Sequence, residues 1–196
     1  IKFYFDTDNN AFQFSGEKDV SFIGCEFDGK CNDPVGKMNY IQAGMTNDVF
    51  NGTLVVKGCV FDETAENVNR AIRVVEGEKA DVSVTGCTFI IDEDSEGDAL
   101  TPVKLSRVVA DDDMSKFSGN KFSNDGVLSN ADACYVVGVS YRYIALNGSI
   151  NAVAKVGDIY YESFEQAFEA AGSEDVIVLL KDVSVSKAVL ESKAFS

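Results

Sequence analysis

The chain has 196 residues, enough for one domain with a useful core, or for such a domain plus a smaller appendage. Its 32 acidic and 17 basic side chains give a formal charge of −15, which repels phosphate backbones and anionic lipid, argues against nucleic-acid binding, and makes cations such as calcium natural small partners. It has no histidine, which excludes Ser/His/Asp and Cys/His nucleophilic pairs and the usual zinc sites, and no run near the roughly 18 apolar residues that span a bilayer, so no membrane insertion is expected.

Ile1-Lys2-Phe3-Tyr4-Phe5 alternates as a strand, and a start inside a strand, with nothing resembling a signal peptide, favours a segment excised from a longer chain. Asp6-Thr7-Asp8-Asn9-Asn10-Ala11, with Glu17 in the twelfth place, has calcium-loop spacing, with Asp6, Asp8, Asn10 and Glu17 as the donors. Ala11 stands where that loop needs glycine. The alternative is a polar turn between two strands, Tyr4-Phe5 and Phe12-Gln13-Phe14.

A phrase then recurs four times: Val20-Ser21-Phe22-Ile23-Gly24-Cys25-Glu26-Phe27, Leu54-Val55-Val56-Lys57-Gly58-Cys59-Val60-Phe61, Val82-Ser83-Val84-Thr85-Gly86-Cys87-Thr88-Phe89 and Met114-Ser115-Lys116-Phe117-Ser118-Gly119-Asn120-Lys121-Phe122. Its apolar alternation is that of a strand with one buried face, its glycine supplies the left-handed conformation of a tight bend, and cysteine and phenylalanine, two apart, both point inward beyond it. A further strand precedes three of the copies, at Met38 to Ala43, Ala71 to Val75 and Thr101 to Leu105. Three strands per unit of roughly 30 residues predict stacked triangular units, each burying its apolar face on its neighbours. Helical repeats and antiparallel propellers do not fit this spacing, and an antiparallel sandwich is the remaining all-β alternative.

Cysteine numbers five, so at least one is free or pairs between chains. Cys25, Cys59 and Cys87 share one repeat position and are expected to form an inward ladder of free thiols, with Cys25–Cys31 as a minor alternative pairing.

The loops between strands are acidic or polar: Asp28 to Gly36, Asp62 to Asn69, Asp92 to Asp98 and Ala110 to Asp113. Asp92, Asp94, Glu96 and Asp98 resemble the first half of a calcium loop whose twelfth position is Val103. These residues and Asp111-Asp112-Asp113 are also carboxylate clusters of the sort glycosidases use as acid and base, or simply solvated loops. Tyr135, Tyr141 and Tyr143 lie close together, with Tyr141 and Tyr143 on one strand face, and offer either sugar-stacking surface or packing. Asn51-Gly52-Thr53 and Asn147-Gly148-Ser149 are formal glycosylation sequons, but Asn-Gly is also a favoured turn, the preferred reading here.

After Ser149 the pattern changes. Tyr161, Phe164, Ala167, Phe168 and Ala171 have helical spacing, so residues 162 to 171 should form an amphipathic helix with Ser163 as cap and Gly172 as terminator, followed by a strand at Asp175 to Leu180.

Gly86-Cys87-Thr88-Phe89 and Gly119-Asn120-Lys121-Phe122 resemble phrases of the right-handed parallel β-helix, or pectate-lyase-like, family, a likeness covering roughly residues 15 to 145. Ala154 to Phe168 and Val178 to Val183 look like a module of large surface proteins of Gram-positive, often gut-dwelling, bacteria, where it opens a β-helix. Together these resemblances imply an all-β fold: a right-handed parallel β-helix solenoid over residues 1–150, then a helix-plus-strand module over 151–196 that caps it or starts a following unit. They imply a parent chain continuing at both ends, at a bacterial cell surface or outside the cell. The function expected on this basis is non-catalytic adhesion or display, with a glycan or host-surface ligand. A polysaccharide lyase or glycoside hydrolase using loop carboxylates, with or without calcium, is the alternative from another class, and a structural spacer is the third.

Overall fold

The computed structural model describes residues 1–32, 38–64, 68–92, 100–106, 113–124, 128–146 and 150–184, with the backbone alone for 128–132. The strands in chain order are β1 (Lys2–Thr7), β2 (Phe12–Phe14), β3 (Val20–Ile23), β4 (Glu26–Cys31), β5 (Met38–Ala43), β6 (Thr53–Lys57), β7 (Val60–Asp62), β8 (Val68–Val74), β9 (Asp81–Thr85), β10 (Thr88–Ile90) and β11 (Val103–Ser106). A 3-10 turn, Met114–Phe117, precedes β12 (Lys121–Asn124), β13 (Leu128–Val137) and β14 (Tyr141–Leu146). β15 (Ala154–Val156), β16 (Ile159–Tyr161), helix α1 (Phe164–Ala170) and β17 (Ile177–Leu179) complete the order.

The repeated phrase places its strands in parallel ladders: β1, β4, β7, β10 and β12 in one, β2, β5, β8 and β11 in a second, and β3, β6 and β9 in a third. Register puts like residues at one level. Phe27, Phe61, Phe89 and Phe122 stack in a buried column with successive ring centroids 4.5, 5.7 and 5.7 Å apart, while Leu54, Val56, Val82 and Val84 fill the facing side. Between the two strands of each phrase the chain turns at a glycine, as at Gly58 (φ 60°) and Gly86 (φ 63°), where a side chain would be strained although nothing crowds the site.

The expectation of a single right-handed parallel β-helix with a C-terminal helix-plus-strand module is corrected by the sheet topology. After Asn124 the chain reverses. β13 runs antiparallel to β12, β14 runs antiparallel to both β13 and β11, and among the described residues the first two ladders thereby join into one mixed sheet of 14 strands, with the three strands of the third ladder separate. β15, β16 and β17 extend that same mixed sheet, since β16 pairs with β13. The third ladder stops at the fourth phrase, where Ser115 stands in place of Val20, Leu54 and Val82 and removes one apolar anchor of the strand; β12 still pairs parallel with β10, and the reversal beyond it is set by the pairing of β14 with β11, distant in sequence. Asp113 instead caps the 3-10 turn by accepting from the Ser115 N–H at 3.0 Å, and Gly86 N–H bonds to Ser118 O at 3.0 Å, closing the third ladder.

A buried ion pair and a ring stack tie the reversed strands to the core. Arg142 of β14 forms an ion pair with Glu76, just beyond β8, both almost wholly buried, and the guanidinium also lies 5.9 Å from the Phe117 ring centroid. Tyr135 of β13 stacks on Phe117 at 4.9 Å. Helix α1 begins at Ser163, whose hydroxyl accepts from the Gln166 N–H, and it buries Ala167 against the core.

Candidate functional site

One row of residues crosses the mixed sheet on a single face: Gln13, Gln42, Arg73, Lys104, Tyr143, Val136, Tyr160, Lys155 and Val178 are successive register partners. The row changes character where the parallel strands meet the antiparallel ones. On the parallel side it is amide and cationic, with Asn10, Asn39 and Asn69 hydrogen-bonded in series beside it. On the antiparallel side tyrosines alternate with apolar and cationic residues, and Tyr143 and Tyr160 pack over a small second core of Cys134, Val136 and Ala145.

At that junction lies an open cleft of about 420 Å³, lined by residues that include Arg70, Lys104, Tyr141, Tyr143, Asn151 and Glu162. Paired strands β11, β13 and β14 underlie it. Its rim is the turn between β13 and β14, where Gly138 N–H bonds to Tyr141 O at 2.8 Å and the Gln166 side chain of α1 donates to Gly138 O at 3.2 Å. Gly138 has no room for a side chain, because a Cβ there would come within 2.7 Å of Glu162 Oε2 and 2.9 Å of Tyr141 O.

Tyr141 is 40% exposed, with the Lys104 ammonium 4.0 Å from its ring centroid. Tyr143 donates its phenolic hydrogen to Glu162, and desolvation first, then that hydrogen bond, holds its pKa well above the ordinary tyrosine value. It therefore stays a protonated donor. Asn151 accepts from Lys181 Nζ at 2.9 Å and is tied to the segment after β17. Arg70 bonds to Thr101 Oγ1 at 3.5 Å and lies beside Glu63, whose carboxyl burial pushes well above its usual range while the guanidinium pulls the other way.

The sequence-derived calcium candidates are placed as follows. Asp6 lies in β1, pairs with Lys30 at 3.7 Å and accepts from the Asn32 side chain. Asp8 is exposed in the bend after β1. Asn10 accepts from both the backbone and the side chain of Asn39 at 2.9 Å, and Glu17 pairs with Lys79 at 2.9 Å. Asp6, Asn10 and Glu17 thus engage three different neighbours. Asp92 is exposed just beyond β10, whereas Asp94, Glu96 and Asp98, like Asp111, Asp112 and Asn147 to Ser149, lie outside the described residues. Among the described residues, no three His, Cys, Asp or Glu side chains gather where they could hold a metal ion.

Of the three tyrosines singled out from sequence, Tyr141 and Tyr143 line the cleft, and Tyr135 packs in the core. Lys104, Glu162 and Asn151 were missed. Lys104 carried a usable signal, as the outward residue of the alternating Val103-Lys104-Leu105, but Glu162 and Asn151 belong to non-repeated sequence and reach the cleft only through the pairing of β16 with β13.

No family model matches the chain, and neither the curated proteins nor the solved structures give a match. Among the described residues, no helix is long and apolar enough to cross a membrane.

Proposed function

We propose that this chain is a non-catalytic binding module, secreted or displayed at a bacterial surface, that holds a glycan over Tyr141 and Tyr143. The observation that carries this reading is the cleft itself: aromatic rings beside a carboxylate, an amide and an ammonium, on a floor of hydrogen-bonded sheet. Sugars present apolar C–H faces rimmed by hydroxyls, so ring stacking and short polar contacts supply complementary recognition. The volume falls within the range of about 300–1,000 Å³ usual for small-ligand pockets. A net charge of −15 repels polyanions at long range, which favours a neutral glycan over an acidic one.

Paired-carboxylate hydrolysis needs two acids across the scissile bond, and Glu162 is the one carboxylate among the described cleft-lining residues. Incubation with a panel of neutral glycans and with polygalacturonate, each with and without calcium, tests the proposal. The expected outcome is saturable binding of a neutral glycan without product. Turnover would replace it with a lyase or glycosidase assignment, and absence of both binding and product would leave a spacer.

A further inference from the structure

A second constellation lies in the core, away from the cleft. Cys25, Cys59 and Cys87 each follow a corner glycine and immediately precede β4, β7 and β10, whose registers place Glu26 opposite Val60 and Val60 opposite Thr88. Backbone hydrogen bonds hold the three at one level, Val60 N–H to Cys25 O at 2.9 Å and Thr88 N–H to Cys59 O at 2.8 Å. Neighbouring strands lie about 4.8 Å apart, within the Cα separation of roughly 4.4–6.8 Å that a disulfide spans. Cys31, at the far end of β4, is about 20 Å from Cys25 by strand rise and out of its reach.

The column has direction. The deeper thiols lie between carbonyls of their own turn and of the layer before: Cys59 Sγ is 3.3 Å from Phe22 O and 3.5 Å from Lys57 O, and Cys87 Sγ is 3.5 Å from Thr85 O and 3.8 Å from Val56 O. At the far end Asn120 takes the next position and closes the column, accepting from Cys87 N–H at 2.9 Å and donating to Val84 O and Phe117 O, both at 2.8 Å. Cys25 is 7% exposed, whereas Cys59 and Cys87 are wholly buried, so a small molecule meets the column first at Cys25. All three are free thiols in this structure.

We propose that Cys25 and Cys59 form a latent disulfide, closed by exchange with a small external disulfide. The Cys25 thiolate attacks the external disulfide RS–SR, forming a mixed disulfide and releasing one RS⁻. Cys59 then attacks the Cys25 sulfur and displaces the second RS⁻. The two protons given up by the cysteines end on the two released thiols, so two cysteine thiols are oxidised as one disulfide is reduced. The hydrogen bond from Cys87 to its sulfur holds Cys59 below the ordinary thiol range against the opposing effect of burial. Cys87, its own pKa raised mainly by that same hydrogen bond, remains a thiol.

The test uses the intact folded chain, exposed to hydroxyethyl disulfide, acid-quenched, unfolded, alkylated and digested with trypsin, which leaves Cys25, Cys59 and Cys87 on three separate peptides. The expected product links the Cys25 and Cys59 peptides while Cys87 is alkylated. In Cys59→Ser the link is lost, and Cys25 carries the small mixed disulfide instead. A Cys59–Cys87 link, a wild-type chain that stops at the mixed disulfide, or an unreacted Cys25 would each overturn the proposal. The wild-type peptide map decides the matter even if Cys59→Ser does not fold.

Discussion

The parallel ladders and the mixed strands that follow them contribute to one core, but they bring different residues together. In the ladders, register aligns copies of the same position, so phenylalanine meets phenylalanine and cysteine meets cysteine, layer after layer. In the mixed region, reversal sets unlike residues opposite each other: Lys104 beside Tyr143, Leu105 beside Arg142, Tyr135 beside Ile144. Repetition therefore builds a uniform core. The break in repetition produces both the buried ion pair and the cleft.

That contrast can be broken from either side, and the largest effect is expected in the ladders. Phe61 stacks between Phe27 and Phe89, so Phe61→Ala should cost about 4 kcal/mol in a denaturant melt, through lost burial and the cavity left behind. Arg142→Ala acts on the mixed side and strands the buried Glu76 carboxylate, at an expected cost of about 3 kcal/mol. Replacing Arg142 and Glu76 together by apolar residues of similar volume should recover most of that loss, an outcome no second substitution would give at the phenylalanine column. Gly58→Ala should cost about 1–2 kcal/mol from backbone strain alone, because open space surrounds the site and nothing clashes.

How far the sequence was legible follows the same division. The Gly-Cys-x-Phe phrase marked the corners, the inward cysteine and phenylalanine columns, and the strands on either side, because each copy corroborated the others. The free state of Cys25, Cys59 and Cys87 was expected on the same grounds. The fourth copy misled: Phe117 keeps its place before the glycine, but Ser115 lacks the second apolar anchor, and the chain takes a 3-10 turn and then reverses. The reversal itself had no local signature, because the direction of β13 and β14 is set by partners distant in sequence. Short-range periodicity did mark the helix, which occupies Phe164–Ala170 behind its Ser163 cap. The cleft was half legible: Tyr141 and Tyr143 announced a shared face, whereas Glu162 and Asn151 reach it only through long-range pairing.

The most direct test of the central claim, that the junction cleft binds a glycan through its tyrosines, is a calorimetric titration of the best neutral oligosaccharide from the panel. Wild type would be compared with Tyr141→Ala and Tyr4→Ala, the latter altering a ring 65% exposed on β1, an edge strand of the mixed sheet. Tyr141→Ala should weaken binding about tenfold or more, equivalent to about 1.4 kcal/mol or more, with its melting temperature little changed, while Tyr4→Ala binds as wild type does. Undiminished affinity in Tyr141→Ala, or an equal loss in Tyr4→Ala, would contradict the assignment of the cleft.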